Sequence, residues 1–332
     1  MQDSLRRAAH AQTDVQAAFA QARTELLRRL VGREALIDRL LIALLAGGHL
    51  LVEGAPGLAK TRAVKLFAET LSTRFARIQA TPDLLPSDLT GADVLRPQTG
   101  SFEFSEGPLF NNVVLVDEIN RAPPKVQSAL LEAMAEGQIT HGGVTRRLAP
   151  PFLVAATQNP LEHEGVYPLP EAQLDRFLFY VTLEMPDALE ERAILDLALE
   201  ERLGEAEKPK ARALIDLDAV LTAKQAAAEV HVSPAVRDFI VRLVAATRGV
   251  GAAGEAAADI AHPASPRGSL GLAAAAQARA WLLGRDHVLP ADVEELALDA
   301  LSGRIGLSYR ARAEGKTARG VMAAILQRTP VL

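Results

Sequence analysis

Gly54-Ala55-Pro56-Gly57-Leu58-Ala59-Lys60-Thr61 lies between an apolar run, Leu50-Leu51-Val52, and a segment with helical periodicity. Strand, glycine loop, Lys-Thr and helix, in that order, is the layout of a phosphate-binding loop. In such a loop the backbone N–H groups turn inward around a polyphosphate. Lys60 then reaches the outer phosphates and the Thr61 hydroxyl ligates Mg²⁺. The helix that starts there aims its positive end at the same anion. Ala59 stands where many such loops carry glycine, and alanine is accommodated if that residue keeps a negative φ. The same residues can also be read as an ordinary strand–turn–helix connection.

Working outward, five short apolar runs follow one another: His49–Glu53, Phe75–Ala80, Val113–Asp117, Phe152–Thr157 and Phe177–Leu183. Several are apolar at consecutive positions, the pattern of strands covered on both faces of a parallel sheet. Helical patterns separate them at Lys60–Leu71 and Lys125–Glu136, with Gly137 as a stop. Alternating strands and helices predict a three-layer αβα domain over 31–185. Val15, Phe19, Ala22, Leu26 and Leu30 recur at helical spacing, so 1–30 reads as an amphipathic helix, followed by a second helix over Glu34–Ala46. Two inserts read either as hairpins or as solvated loops. One is Ala92–Asn112, with its alternating Ser101-Phe102-Glu103-Phe104. The other is Gln138–Leu148, around His141-Gly142-Gly143.

Beyond Met185-Pro186 the pattern becomes all-helical, predicting a second domain over 186–332. Asp187 caps a helix reaching about Leu203, and Glu205–Lys210 reads as a linker. Ser233-Pro234 and Ser265-Pro266 are helix starts, with serine as cap and proline at the first helical position. Pro290–Ser302 supplies another helix, while the glycine- and alanine-rich Val250–Ala264 reads as mobile.

Bulk properties narrow the function classes. The formal net charge of −5 disfavours a general nucleic-acid coat. There are no cysteines, which removes disulfides, thiolate metal sites and cysteine nucleophiles. The N-terminus has no signal-peptide apolar core, and the longest apolar run, Leu40–Val52, is too short to span a bilayer. The expectation is a cytoplasmic protein without membrane insertion. Glu162-His163-Glu164 reads as a solvated loop rather than a metal site, and no His-Glu-x-x-His pattern occurs.

Val113-Val114-Leu115-Val116 ends in Asp117-Glu118. Acids at strand ends are common; downstream of a phosphate-binding loop they form a pair able to hold Mg²⁺ through water (Asp117) and polarise an attacking water (Glu118). The strand Phe152–Thr157 ends in Gln158-Asn159-Pro160. There Asn159 can donate to a γ-phosphate or mark a turn.

Three segments carry a resemblance to a known family. They are Gln79-Ala80-Thr81-Pro82-Asp83-Leu84-Leu85-Pro86-Ser87-Asp88, Asp117-Glu118-Ile119-Asn120-Arg121-Ala122-Pro123-Pro124-Lys125 and Pro170-Glu171-Ala172-Gln173-Leu174-Asp175-Arg176-Phe177. The chain resembles the MoxR branch of AAA+ ATPases over roughly Val31 to Leu307. The resemblance implies ATP and Mg²⁺ as ligands, Asn159 as sensor 1, and Arg176 as the arginine finger serving a neighbouring subunit. It implies Arg267 as sensor 2, reading the γ-phosphate in cis, and Val31-Gly32 against the adenine. Without it, Arg176 reads as a partner of Asp175 or Glu171, and Arg267 as an exposed arginine at a helix start. The resemblance further implies a homo-oligomeric ring, a hexamer. Chaperone-like maturation of a protein client follows from it, with a von Willebrand factor A domain protein as a possible partner. A metal-chelatase motor subunit and a nucleic-acid or transcription motor of the same superfamily are the alternatives. The insert Ala92–Asn112 carries neither a basic run nor a Gly-Ala-Phe-Thr-Gly-Ala loop.

Overall fold

The computed structural model describes residues 2–98, 100–159, 166–203, 213–251 and 253–331, with side chains from residue 13 onward. The sequence segments Glu162–Glu164 and Glu205–Lys210 lie outside the described residues.

The chain begins with α1 (Gln2–Arg29) and α2 (Glu34–Ala46), then β1 (Leu50–Gly54), α3 (Lys60–Thr70) and β2 (Phe75–Gln79). A short helix α4 (Pro86–Thr90) leads into a hairpin, β3 (Gly91–Arg96) and β4 (Ser101–Glu106). After β5 (Val113–Asp117) and α5 (Pro124–Glu136) comes a second hairpin, β6 (Gln138–His141) and β7 (Val144–Arg147). Strand β8 (Leu153–Gln158), the single turn α6 (Glu171–Leu174) and β9 (Phe179–Leu183) complete this part. The five strands of the main sheet are ordered β2-β5-β8-β1-β9 and every pairing is parallel.

The apolar runs explain the layers. In β5, β8 and β1 the residues alternate between two separate cores. Leu50, Val52, Val113, Leu115, Leu153 and Ala155 pack with α2 and α3. Leu51, Val114, Val116, Val154 and Ala156 pack with α5 through Val126, Leu130 and Met134. Strands covered on both sides need apolar residues at consecutive positions, which is why no polar alternation appears in them. The two hairpins lie against each other. Phe104 of β4 meets the His141 ring, and the Arg146 guanidinium stacks 3.8 Å above Phe104.

The second part comprises α7 (Ala188–Leu203), α8 (Leu217–Ala228), α9 (Pro234–Ala246), β10 (Ile260–His262), α10 (Pro266–Leu282), α11 (Pro290–Leu301), β11 (Gly306–Leu307), α12 (Tyr309–Ala313) and α13 (Ala318–Arg328). Ser233 Oγ accepts from the Val236 amide and Ser265 Oγ from the Arg267 amide, so both serine–proline starts cap as expected. Asp187 Oδ1 accepts from the Leu189 and Glu190 amides at the start of α7. This helical part packs on α1 and α2. Phe19 meets Trp281 edge-on at 5.4 Å, and the buried Arg39 of α2 pairs with Asp299 of α11 at 2.7 Å.

The helical second part also holds one small antiparallel pair, β10 with β11. Within the glycine- and alanine-rich segment the described residues are partly ordered into a turn and partly buried. Residues Gly254–Asp259 make a 3₁₀ turn, and Ala253, Ala257 and Ala264 are buried. A Cβ on Gly254 would lie 2.5 Å from the Gly249 carbonyl oxygen. Small residues there permit close packing of the loop on itself.

Candidate nucleotide site

The loop between β1 and α3 turns on Ala59, whose φ of 57° and ψ of 22° are left-handed. The expected negative φ is therefore corrected. The chain must reverse before Lys60 so that the Ala59 carbonyl can accept from the Ala63 amide and open α3. A non-glycine residue in this region costs on the order of 1–2 kcal/mol, which the surrounding loop sustains. Lys60 Nζ donates to the Gly54 carbonyl at 2.5 Å, bridging the two ends of the loop.

Asp117 ends β5 beside this loop, and its carboxylate is buried. The Thr61 hydroxyl lies 3.3 Å from both its oxygens, Thr157 Oγ1 lies 3.3 Å from Oδ1, and Arg77 Nε donates to Oδ2 at 2.7 Å. Glu118 follows with φ 58°, again left-handed, held by a hydrogen bond from its amide to Thr157 Oγ1. This kink ends the strand, and the Glu118 carboxylate lines the cavity at its end. It accepts from Gln79 Nε2 at 3.0 Å and from Arg121 at 3.3 Å. A cavity of about 390 Å³ is lined by Lys60, Thr61, Arg77, Asp117, Glu118 and Asn159, among others. It opens at the carboxyl ends of β1, β5 and β8, the edge where open α/β sheets bind ligands.

Sequence reasoning missed Arg77, Gln79 and Thr157. The signal was available in β2: positions i and i+2 of a strand share a face, and Gln79 is in register with Asp117.

The donor set can be tested against Mg²⁺. Asp117 and Thr61 offer oxygen only. Among the described residues no three His, Cys, Asp or Glu form a closed cage. Magnesium takes few protein ligands and completes its shell with phosphate and water oxygens, so the residues present fit it.

A second cavity, about 300 Å³, is lined by Val31, Pro186, Ile194 and Leu197, and shares Pro56 to Ala59 and Arg62 with the first. Gly32 beside it has φ +68°, and a Cβ there would meet the Glu190 carboxylate at 2.8 Å. An apolar slot next to a phosphate loop suits a flat base.

Arg176 and Arg267 line neither cavity. They share a third one with Asp175, Arg304, Gly47 and Leu270. Arg176 donates to the Leu131 carbonyl at 2.6 Å, and Arg267 stands 3.6 Å from Asp175. The structure thus sets Arg267 by Asp175, outside the cavity that Lys60 lines. Helix α10 begins where Ser265 donates to Asp175, and that contact brings Arg267 to the cavity that Arg176 also lines.

Comparison with known proteins agrees with this geometry. Residues 49–179 match the ATPase family associated with various cellular activities (AAA), and residues 252–325 match the AAA lid domain. The chain is 45% identical to Chaperone MoxR1 of Mycobacterium tuberculosis over 91% of its own length and 79% of that protein's. It is 33% identical to Protein MoxR of Paracoccus denitrificans, covering 91% and 93% of the two chains. A crystal structure provisionally described as an ATPase, from Cytophaga hutchinsonii, superposes with a TM-score of 0.89 at 40% identity, covering 98% of each chain. The chain therefore belongs to the MoxR family of AAA+ ATPases.

Proposed function

We propose that ATP is hydrolysed at the boundary between two copies of this chain in a closed ring, a hexamer, and that the cycle drives chaperone-like maturation of a protein client. The observation that carries this reading is the division of the site. The phosphate-side groups Lys60, Thr61, Asp117, Glu118 and Asn159 line one cavity, while Arg176 and Arg267 line another. A head-to-tail contact presents one surface of a subunit to a different surface of the next, and such contacts form a ring when the rotation between subunits closes.

In this account Val31, Gly32 and the slot residues from Pro56 to Ala59 hold the adenine. The loop's backbone N–H groups between Gly54 and Thr61, Pro56 having none, and the Lys60 ammonium bind the phosphates. Thr61 and Asp117 would hold Mg²⁺, which when bound neutralises charge on the phosphate oxygens. Glu118 accepts a proton from the attacking water, Asn159 orients that water or the γ-phosphate, and the neighbour's arginines offset transition-state charge. A finger of this kind contributes on the order of 10³–10⁵ in rate.

Arg146 stacked on Phe104 joins the two hairpins into one unit, on which the cross-strand pair Leu95 and Phe102 is exposed, a feature suited to an apolar client segment. The relative named Chaperone MoxR1 supports a chaperone role. The partner would be a von Willebrand factor A domain protein and the compartment the cytoplasm. Among the described residues no helix is long and apolar enough to cross a membrane.

Subunit complementation tests the reading. Arg176→Ala and Glu118→Gln subunits should each be inactive alone. Mixed, they form some sites with an intact phosphate side and an intact finger, and random head-to-tail assembly returns up to about a quarter of the wild-type rate. No recovery on mixing would refute completion by the neighbour.

A further inference from the structure

The carboxylate of Asp175, directly before Arg176, gathers three groups of the lid. Arg304 Nη1 donates to Asp175 Oδ1 at 2.7 Å, the Ser265 hydroxyl to Oδ2 at 2.8 Å, and Arg267 Nη1 lies 3.6 Å from the same Oδ2. Arg304 does more than pair. Its Nη1 also donates to the Asp175 carbonyl and its Nη2 to the Phe177 carbonyl, both at 2.7 Å, while Nε reaches the Ala300 carbonyl at the end of α11. The backbone on each side of Arg176 is therefore held by one guanidinium whose side chain is 5% exposed. Burial lowers the Arg304 pKa and the Asp175 charge opposes that fall, so each ion is the other's compensation. The rigid fork of arginine can span a carboxylate and two carbonyls at once, which a lysine ammonium cannot.

We infer that Asp175 and Arg304 are positioning residues that fasten Arg176 to the lid, so that Arg176 and Arg267 are presented to the adjoining subunit as one unit. This rests on the completion of the site by a neighbour. It adds that one carboxylate sets both arginines, and that lid and finger move together. Neither Asp175 nor Arg304 lines the phosphate cavity, so nucleotide binding by a single chain should not depend on them.

The full-length variants Asp175→Asn and Arg304→Lys test this. Misplacing a catalytic group by about 1 Å costs on the order of 10²-fold in turnover. Each variant should lose ten- to a hundredfold in kcat while binding a fluorescent ATP analogue within about twofold of wild type. Mixed with Glu118→Gln subunits, each should regain phosphate release, as Arg176→Ala is expected to. Arg304→Lys keeps the charge and serves if Asp175→Asn unfolds. Wild-type turnover in both variants would overturn the inference. So would failure of both to complement Glu118→Gln while Arg176→Ala still complements, which leaves the finger itself standing. Failure of the Arg176→Ala mixture as well overturns the trans reading and this inference together.

Discussion

Replacing Glu118 by glutamine separates catalysis from folding because the two effects differ in size. The Glu118 side chain accepts from Gln79 and Arg121, and a glutamine carbonyl can accept both bonds in the same shape. What is lost on the structural side is the charge of a half-exposed pair with Arg121, 40% and 29% exposed. Pairs of that exposure contribute about 0–1 kcal/mol, so stability should fall by no more than that. On the catalytic side a general base contributes typically 10²–10⁴ in rate, about 3–5 kcal/mol of barrier. The variant should therefore unfold within a few degrees of wild type and bind a fluorescent ATP analogue normally. Its phosphate release at saturating ATP and Mg²⁺ should fall at least a hundredfold. Release within threefold of wild type would remove Glu118 from its role. Loss of binding would show instead that the carboxylate shapes the pocket.

Lys60→Ala removes the charged donor at the phosphate loop and should weaken ATP binding by at least about tenfold, from the 1.5–3 kcal/mol typical of a charged hydrogen bond; titration with a fluorescent analogue reads this directly. Arg39→Ala leaves Asp299 buried with, among the described residues, the half-exposed Arg319 as its remaining counter-ion; unfolding in denaturant should show a loss of about 3 kcal/mol, the lower end for a broken buried pair. His49 is fully buried, and burial lowers its pKa from 6.5 to about 4 against the opposing hydrogen bond to the Met134 carbonyl. The unfolded chain binds that proton first as pH falls, so stability is complete above about pH 6.5 and about 3 kcal/mol is lost on approaching pH 4. A His49→Gln variant, with no proton to gain, should lack that share of the acid sensitivity. Equal pH dependence in the two proteins would contradict it.

Most of the core was legible because both faces of the sheet are covered, so the runs read as Val113–Asp117 and Phe152–Thr157 are apolar at consecutive positions up to their polar ends. The helix starts at Ser233 and Ser265 were legible because capping is local: a serine oxygen, a proline and a nearby amide suffice. Lys60, Thr61, Asp117, Glu118 and Asn159 do line one cavity, a convergence foreshadowed by strand ends and a glycine loop. What escaped was set by tertiary contacts. Ala59 takes a left-handed conformation because the loop must reverse, against the preference of the residue itself. Arg267 comes to the cavity that Arg176 also lines because a serine and two arginines of the lid converge on Asp175, a contact spanning 90 residues or more. Arg77 and Gln79 were hidden in a strand whose outward face becomes functional only when β5 pairs alongside it. Near Val250, Gly254 marks a close approach to the Gly249 carbonyl while Gly249 and Gly251 take positive φ in open space, and composition alone does not separate these roles.

Phosphate release per subunit, followed across a dilution series alongside mass by light scattering, probes most directly whether a neighbour completes each site. Turnover should vanish as particles dissociate to single chains and rise with the fraction assembled, even at saturating nucleotide. Equal turnover per chain in the dissociated and assembled protein would contradict it.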